Sequence, residues 1–132
     1  MKRISFDLRF VSKAGNDLIR GKIHTIRQNY DYWKRFEGQE VALFTWKGKP
    51  YQKGSKQKVF CVKRIVNVQE VTKEVTKGEV ADFWLSPYDR NPIPIDVIAK
   101  NDGFKDRYEH IEWFVEYPFG KMAILHFTDF RY

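Results

Sequence analysis

Residues 41–69 contain no Asp or Glu, yet Lys47, Lys49, Lys53, Lys56, Lys58, Lys63 and Arg64 fall among them, interleaved with Phe44, Trp46, Tyr51 and Phe60. Clustered cations beside rings suit a polyanion, because neutralising phosphates releases counterions and exposed rings give bases a surface to stack on. The same lysines have a plainer use, since a Lys-rich hairpin keeps a sheet edge soluble and unpaired. Upstream, Arg27 suits either a carboxylate in a cavity mouth or a phosphate, both of which match the guanidinium fork. By residue type alone, Lys22 and Thr25 read as a solvated turn lysine and a strand threonine. Asp102, before Gly103, reads as the cap of a helical turn. His24 is either a half-buried core histidine or a proton-transfer group. Trp46, Tyr51 and Trp84 are core rings or base-stacking rings, and exposure separates the two. The single Cys61 forms no internal disulfide. His24, His110 and His126 lack ligand spacing, so no metal and no cofactor is expected.

The elements that must position these groups belong to a chain of 132 residues, 42% hydrophobic, 17% aromatic and 31% charged. That length and mixture predict one folded domain over residues 1–132 rather than disorder. The net charge of +7 is uneven: residues 1–66 carry sixteen Lys and Arg against five Asp and Glu, and residues 67–132 eight against twelve. The basic half is therefore the expected binding half. With no apolar run of about 18 residues, and with Asp7 and Arg9 interrupting the start, neither a membrane span nor a signal peptide is expected. The expected setting is cytoplasmic, with no membrane partner.

Ile4, Phe6, Leu8 and Phe10 alternate with polar residues and predict a strand. Ser12 is placed to cap a short helix over 12–20, stopped by Gly21. Residues 23–27 read as a short strand or extended turn, and 29–36 as helical turns ending at Gly38. Strands 41–46 and 58–68 are expected to form a hairpin with a basic, turn-rich tip. Strand character continues over 71–85, and the three prolines of 86–94 make a loop. A helical turn or two near 95–100 precedes a helix in which Phe104, Tyr108, Ile111, Phe114 and Val115 recur at helical spacing and dock on the sheet. Pro118 and Gly120 end it, and 122–130 is a last strand. The expected class is α+β, a small mixed β-barrel with helices near both ends.

Three segments in order carry a resemblance. Gly21-Lys22-Ile23-His24-Thr25-Ile26-Arg27, Phe36-Glu37-Gly38-Gln39-Glu40-Val41-Ala42-Leu43, and Asp102-Gly103-Phe104 ahead of a helix and a closing strand together resemble the ASCH domain family, a branch of the PUA-like β-barrels associated with RNA. The likeness spans nearly the whole chain. It implies a PUA-like barrel that binds RNA, a nucleotide or a modified nucleoside in a cleft formed by 21–27, 102–104 and the basic hairpin. Arg27, Lys47, Lys49, Lys53, Lys56, Lys58 and Arg64 are the expected nucleic-acid contacts. Some small bacterial members of that family remove the acetyl group of acetylcytidine, and the resemblance maps their base, nucleophile and acid onto Lys22, Thr25 and Asp102. An amidohydrolase acting on an acylated nucleoside is therefore the alternative expectation. A ribonuclease is a weaker one, because phosphodiester cleavage also needs a base and cationic stabilisation in one groove.

Overall fold

The computed structural model describes residues 1–85, 92–115 and 120–132. Its elements are β1 (Lys2–Ser5), β2 (His24–Gln28), α1 (Tyr30–Lys34), β3 (Glu40–Lys47), β4 (Lys56–Arg64), β5 (Asn67–Thr76), β6 (Glu79–Trp84), α2 (Ile95–Asn101), α3 (Arg107–Phe114) and β7 (Met122–His126). The class is mixed α+β. Among the described residues the strands form two sheets, ordered β1-β3-β4 and β2-β7-β5-β6, and their pairing closes no barrel.

Burial explains which strands are central. All five residues of β7 are buried, as expected of an apolar run flanked on both edges, here by β2 and β5. Val41 to Thr45 of β3 are likewise buried, between parallel β1 and antiparallel β4. The hairpin expected from 41–46 and 58–68 is β3–β4, but its second strand stops at Arg64. There the chain passes from one sheet to the other: Ile65 N donates to Gln39 O, and Val66 N to His126 O. Residues 71–85 form the second half of β5 and then β6, joined at Lys77 and Gly78, both left-handed (φ 53° and 78°). That geometry matches the right-handed twist of a tight hairpin.

Four further expectations need correction. The first strand ends at Ser5, because the Asp7 carboxylate accepts from Arg9 N and starts a 3-10 turn over Leu8–Phe10. Leu8 is thereby turned outward. Residues 12–20 form no helix. Ser12 N donates to Asp17 O, Gly15 is left-handed and Val11 bridges Leu18, a compact loop that an isolated short helix with a central Gly could not outcompete. The apolar stripe of α3 is also shifted. His110 and Phe114 are buried, while Tyr108 and Val115 are exposed. Phe104 stands before the helix and packs edge-on against Phe10 at 5.2 Å and His110 at 4.8 Å. The last strand ends at His126 rather than at residue 130. Most of the proline-rich 86–94 loop, and the stop at Pro118, lie outside the described residues. None of the described helices is long and apolar enough to cross a membrane.

Candidate ligand cleft

In a regular strand, residues three apart face opposite sides, so Lys22 and Thr25 could share a site only if Lys22 left the strand. It does. Gly21 is left-handed (φ 95°), Lys22 N donates to Ile19 O, and Ile23 N donates to Asn101 O, which ties the entry of β2 to the end of α2. The Lys22 side chain then runs over Gly103, where a Cβ would stand 2.8 Å from Lys22 Cβ. Its ammonium lies 4.3 Å from the centre of the Phe10 ring.

Asp102 meets it there. As the C-cap of α2 its backbone N–H donates to Ile98 O, so the capping role expected from residue type holds. Its carboxylate also gathers three basic side chains. Lys22 Nζ donates to Asp102 Oδ1 at 3.0 Å and to the main-chain O at 2.6 Å. His24 Nδ1 lies 3.3 Å from Oδ1, and His110 Nε2 3.2 Å from Oδ2. His24 Nε2 in turn lies 2.5 Å from the Tyr132 hydroxyl. Because a carboxylate only accepts, Nδ1 of His24 carries the proton and Nε2 accepts from Tyr132. His24 is wholly buried rather than half-buried, as is His110.

The charges follow from this arrangement. Burial alone would raise the Asp102 carboxyl, but the Lys22 charge and the His110 and His24 hydrogen bonds outweigh it and hold the group well below the usual carboxylate range. Burial pulls the Lys22 ammonium down, opposed by the charge and hydrogen bond of Asp102. Burial also lowers His24, against the same partner, and keeps its imidazole neutral near pH 7. Asp102 at rest is therefore an ionised acceptor, which changes the acid role expected of it: it can donate a proton only after receiving one.

Lys22, Thr25, Arg27 and Asp102 all line one cavity of ≈ 510 Å³. Arg27 spans its side: Nε donates to Thr25 Oγ1 at 3.2 Å, a terminal N–H₂ donates to Ser5 O at 2.6 Å, and the guanidinium lies 4.8 Å from the Phe6 ring centre. At the mouth, Trp46 and Tyr51 from the hairpin sit 5.1 Å apart. Tyr51 is 90% exposed and left-handed at φ 59°. Trp84 belongs elsewhere, its indole N–H donating to Glu74. Lys47, Lys49, Lys53, Lys56 and Lys58 are exposed on the hairpin. Arg64 does not join them. It lies at the far end of β4, donating to Gly38 O and facing Glu40 at 3.6 Å, while Lys63 pairs with Asp17 at 2.8 Å.

Sequence reasoning missed His110, Tyr132, Phe6 and Phe10 as parts of this site. The first two reach it from 8 and 30 residues beyond Asp102, and no local spacing marks them. Phe6 and Phe10 were legible as apolar, but their role as the floor against cationic Lys22 and Arg27 depends on the chain turning at Asp7. Among the described residues no group of three or more His, Cys, Asp or Glu is arranged to hold a metal ion. Comparison of the chain with protein-family models, curated proteins and solved structures finds no match, so the functional reading rests on the geometry of the cleft.

Proposed function

We propose that the chain binds a nucleotide or modified nucleoside, free or within RNA, in the Lys22–Asp102 cleft, as a cytoplasmic module of the ASCH kind whose two sheets correspond to a PUA-like barrel. The observation that carries this reading is the make-up of that cavity. A pair of rings, Trp46 and the exposed Tyr51, stands at its mouth, a guanidinium on its side, and an ion pair with a threonine hydroxyl on its floor. A flat heterocycle bearing exocyclic donors and acceptors is complementary to that combination, since rings supply stacking and the polar groups supply orientation. The exposed lysines of the hairpin add attraction for phosphate. Titration of the tryptophan fluorescence with the four ribonucleosides and their 5′-monophosphates tests it. Saturable quenching by at least one, weakened in Arg27→Gln, is expected, and no response up to millimolar ligand refutes the cleft.

A second reading has one observation in its favour. Thr25 shares the cavity with a lysine whose ammonium is weakened by burial, and its hydroxyl accepts a hydrogen bond from Arg27 that stabilises an alkoxide. The Lys22–Asp102 pair holds one transferable proton. Moved from Nζ to Oδ1, it leaves an amine base and a carboxylic acid. Thr25 Oγ1 then attacks the amide carbon of an acylated nucleoside, its proton passing to Lys22. The C–N bond breaks as the amine takes a proton from Asp102, and water hydrolyses the acyl-threonine ester. Acetylcytidine incubated with the protein and with Thr25→Ala and Lys22→Ala decides this: turnover by the parent and loss by orders of magnitude in both variants support it. No turnover by the parent rejects it and leaves the binding module. A ribonuclease, the weaker expectation, would draw its base and its cation from this same cavity, where Lys22 and Arg27 lie, and no further observation favours it over the two readings above.

A further inference from the structure

A second cavity of ≈ 510 Å³ opens across a wall made by Leu8, Thr45, Trp46 and Gly48, residues that line both spaces. Val11 and Phe60 give it an apolar back, and Lys47 and Lys58 stand at its edge. The register of the hairpin sets Lys47 directly opposite Lys56, and Thr45 directly opposite Lys58. Alternation along each strand sends these three lysines to the same face as the buried Thr45, and Lys47 and Lys58 line this cavity together with Phe60. Like charges directly opposed cost stability in a sheet. Lys63 and Arg64, farther along the strand, are paired with Asp17 and Glu40, whereas among the described residues Lys47, Lys56 and Lys58 form no ion pair. An anion on that face would offset the repulsion.

Two simpler occupants leave part of this arrangement unused. A free nucleoside fills the first cavity and has no use for a second chamber or a lysine row. A bare polyphosphate uses the lysines and has no use for an apolar chamber behind Leu8 and Trp46. A nucleic-acid strand uses both, since its rings recur on either side of each phosphodiester. We infer that the two cavities take successive nucleotides of a single-stranded nucleic acid, with the linking phosphodiester on Lys47 and Lys58 and Trp46 between the two bases. This rests on the cleft reading above and narrows its ligand from a lone nucleotide to a strand.

The test compares the four ribonucleoside 5′-monophosphates, the four matching homo-trinucleotides and tripolyphosphate, by fluorescence titration at about 50 and 200 mM salt. The best trinucleotide is expected to bind at least about fivefold tighter than its monophosphate, the low end for one added stacked base. That gain should vanish, and the salt dependence flatten, in Lys47→Gln/Lys58→Gln, with monophosphate binding weakened only by the smaller factor that its one phosphate draws from the hairpin lysines. Both side chains are exposed, so the double variant is expected to fold, which a matching urea midpoint verifies. Equal affinity for monophosphate and trinucleotide overturns the second subsite and leaves the cleft standing. Tripolyphosphate binding as tightly as the trinucleotide overturns it too, because the rings then contribute nothing. If no monophosphate binds and Tyr51→Ala leaves trinucleotide affinity unchanged, the cleft reading itself fails, and this inference with it.

Discussion

Replacing Asp102 by Asn keeps the shape of the hub and removes its charge, leaving the Lys22 ammonium, whose side chain is 2% exposed, without a counterion. The folded variant can avoid an unpaired buried charge only by releasing the proton of Lys22. The ordinary value for that group is 10.5. Holding it neutral at pH 7 costs about 1.4 kcal/mol for each of the roughly 3.5 units between, about 5 kcal/mol in all, in line with the ~3–5 kcal/mol typical of breaking a buried pair from one side. The sign is fixed by proton counting. Below its ordinary value the lysine is protonated in the unfolded chain and neutral in the folded variant, so stability rises with pH by about 1.4 kcal/mol per unit until 10.5 is approached. Urea unfolding of parent and Asp102→Asn at pH 7 and pH 9 therefore should show a gap of about 5 kcal/mol shrinking to about 2 kcal/mol. A gap below about 1 kcal/mol at pH 7, or one that does not shrink, would show that water or a loop movement solvates Lys22; the buried ion pair would then not be what organises the cleft.

Gly103→Ala should cost about 2–3 kcal/mol, because it adds a Cβ 2.8 Å from Lys22 Cβ at a left-handed position. Gly21→Ala, also left-handed but facing open space, should cost only about 1 kcal/mol in the same urea assay. His24 and His126 are both lowered by burial, His126 to about 3. The unfolded chain thus takes up protons near 6.5 that the folded one refuses, and stability should fall by up to about 1.4 kcal/mol per pH unit per histidine on acidification from pH 6.5. His126→Gln should roughly halve that slope. Tyr51→Ala, at a 90% exposed residue, should leave the urea midpoint unchanged and weaken ligand binding by about 1–3 kcal/mol if the ring stacks on a base.

How much of this could be read in the sequence depends on how far each argument had to reach along the chain. The β3–β4 hairpin was legible because two runs of β-branched and aromatic residues flank a stretch holding Gly48, Pro50 and Gly54. The alternation of Ile4 and Phe6 also gave the right buried face, although the strand carrying it was shorter. The 12–20 segment reads as a helix because Ser12 and Gly21 mark helix ends, but Gly15, which weakens that reading, is left-handed and helps close a loop on the Ser12 N to Asp17 O bond instead. The outward turn of Leu8 depended on a side chain, Asp7, capturing a backbone N–H two residues on, which alternation cannot register. Arg64 was grouped with the hairpin lysines by proximity in sequence, but nine residues of strand carry it to the opposite end of the sheet, where Gly38 and Glu40 claim it.

The buried basic cluster shows the deeper limit. Asp102 was singled out as a cap or an acid, two roles that follow from its neighbours in sequence, and its charge state follows from neighbours in space: Lys22 80 residues before it, His24 78 before it and His110 from the next helix. Those partners keep it ionised, so the proton available to the cleft is the one on Lys22. Any proton transfer at Thr25 is then coupled to the same ion pair that holds β2 to the end of α2. A ligand that draws on that proton must also loosen this junction, whereas a ligand that only stacks at Trp46 and Tyr51 leaves it intact. The proton shift is transient, so the two readings of the cleft differ in what ligand addition leaves behind. Simple binding should protect the Lys22–Asp102 junction and raise the unfolding midpoint by mass action. An acyl-threonine intermediate instead forms with the pair returned to its resting protonation, Lys22 having taken the Thr25 proton and Asp102 having given one to the leaving amine; on rapid acid quench it would appear as an acyl adduct on Thr25, absent in Thr25→Ala.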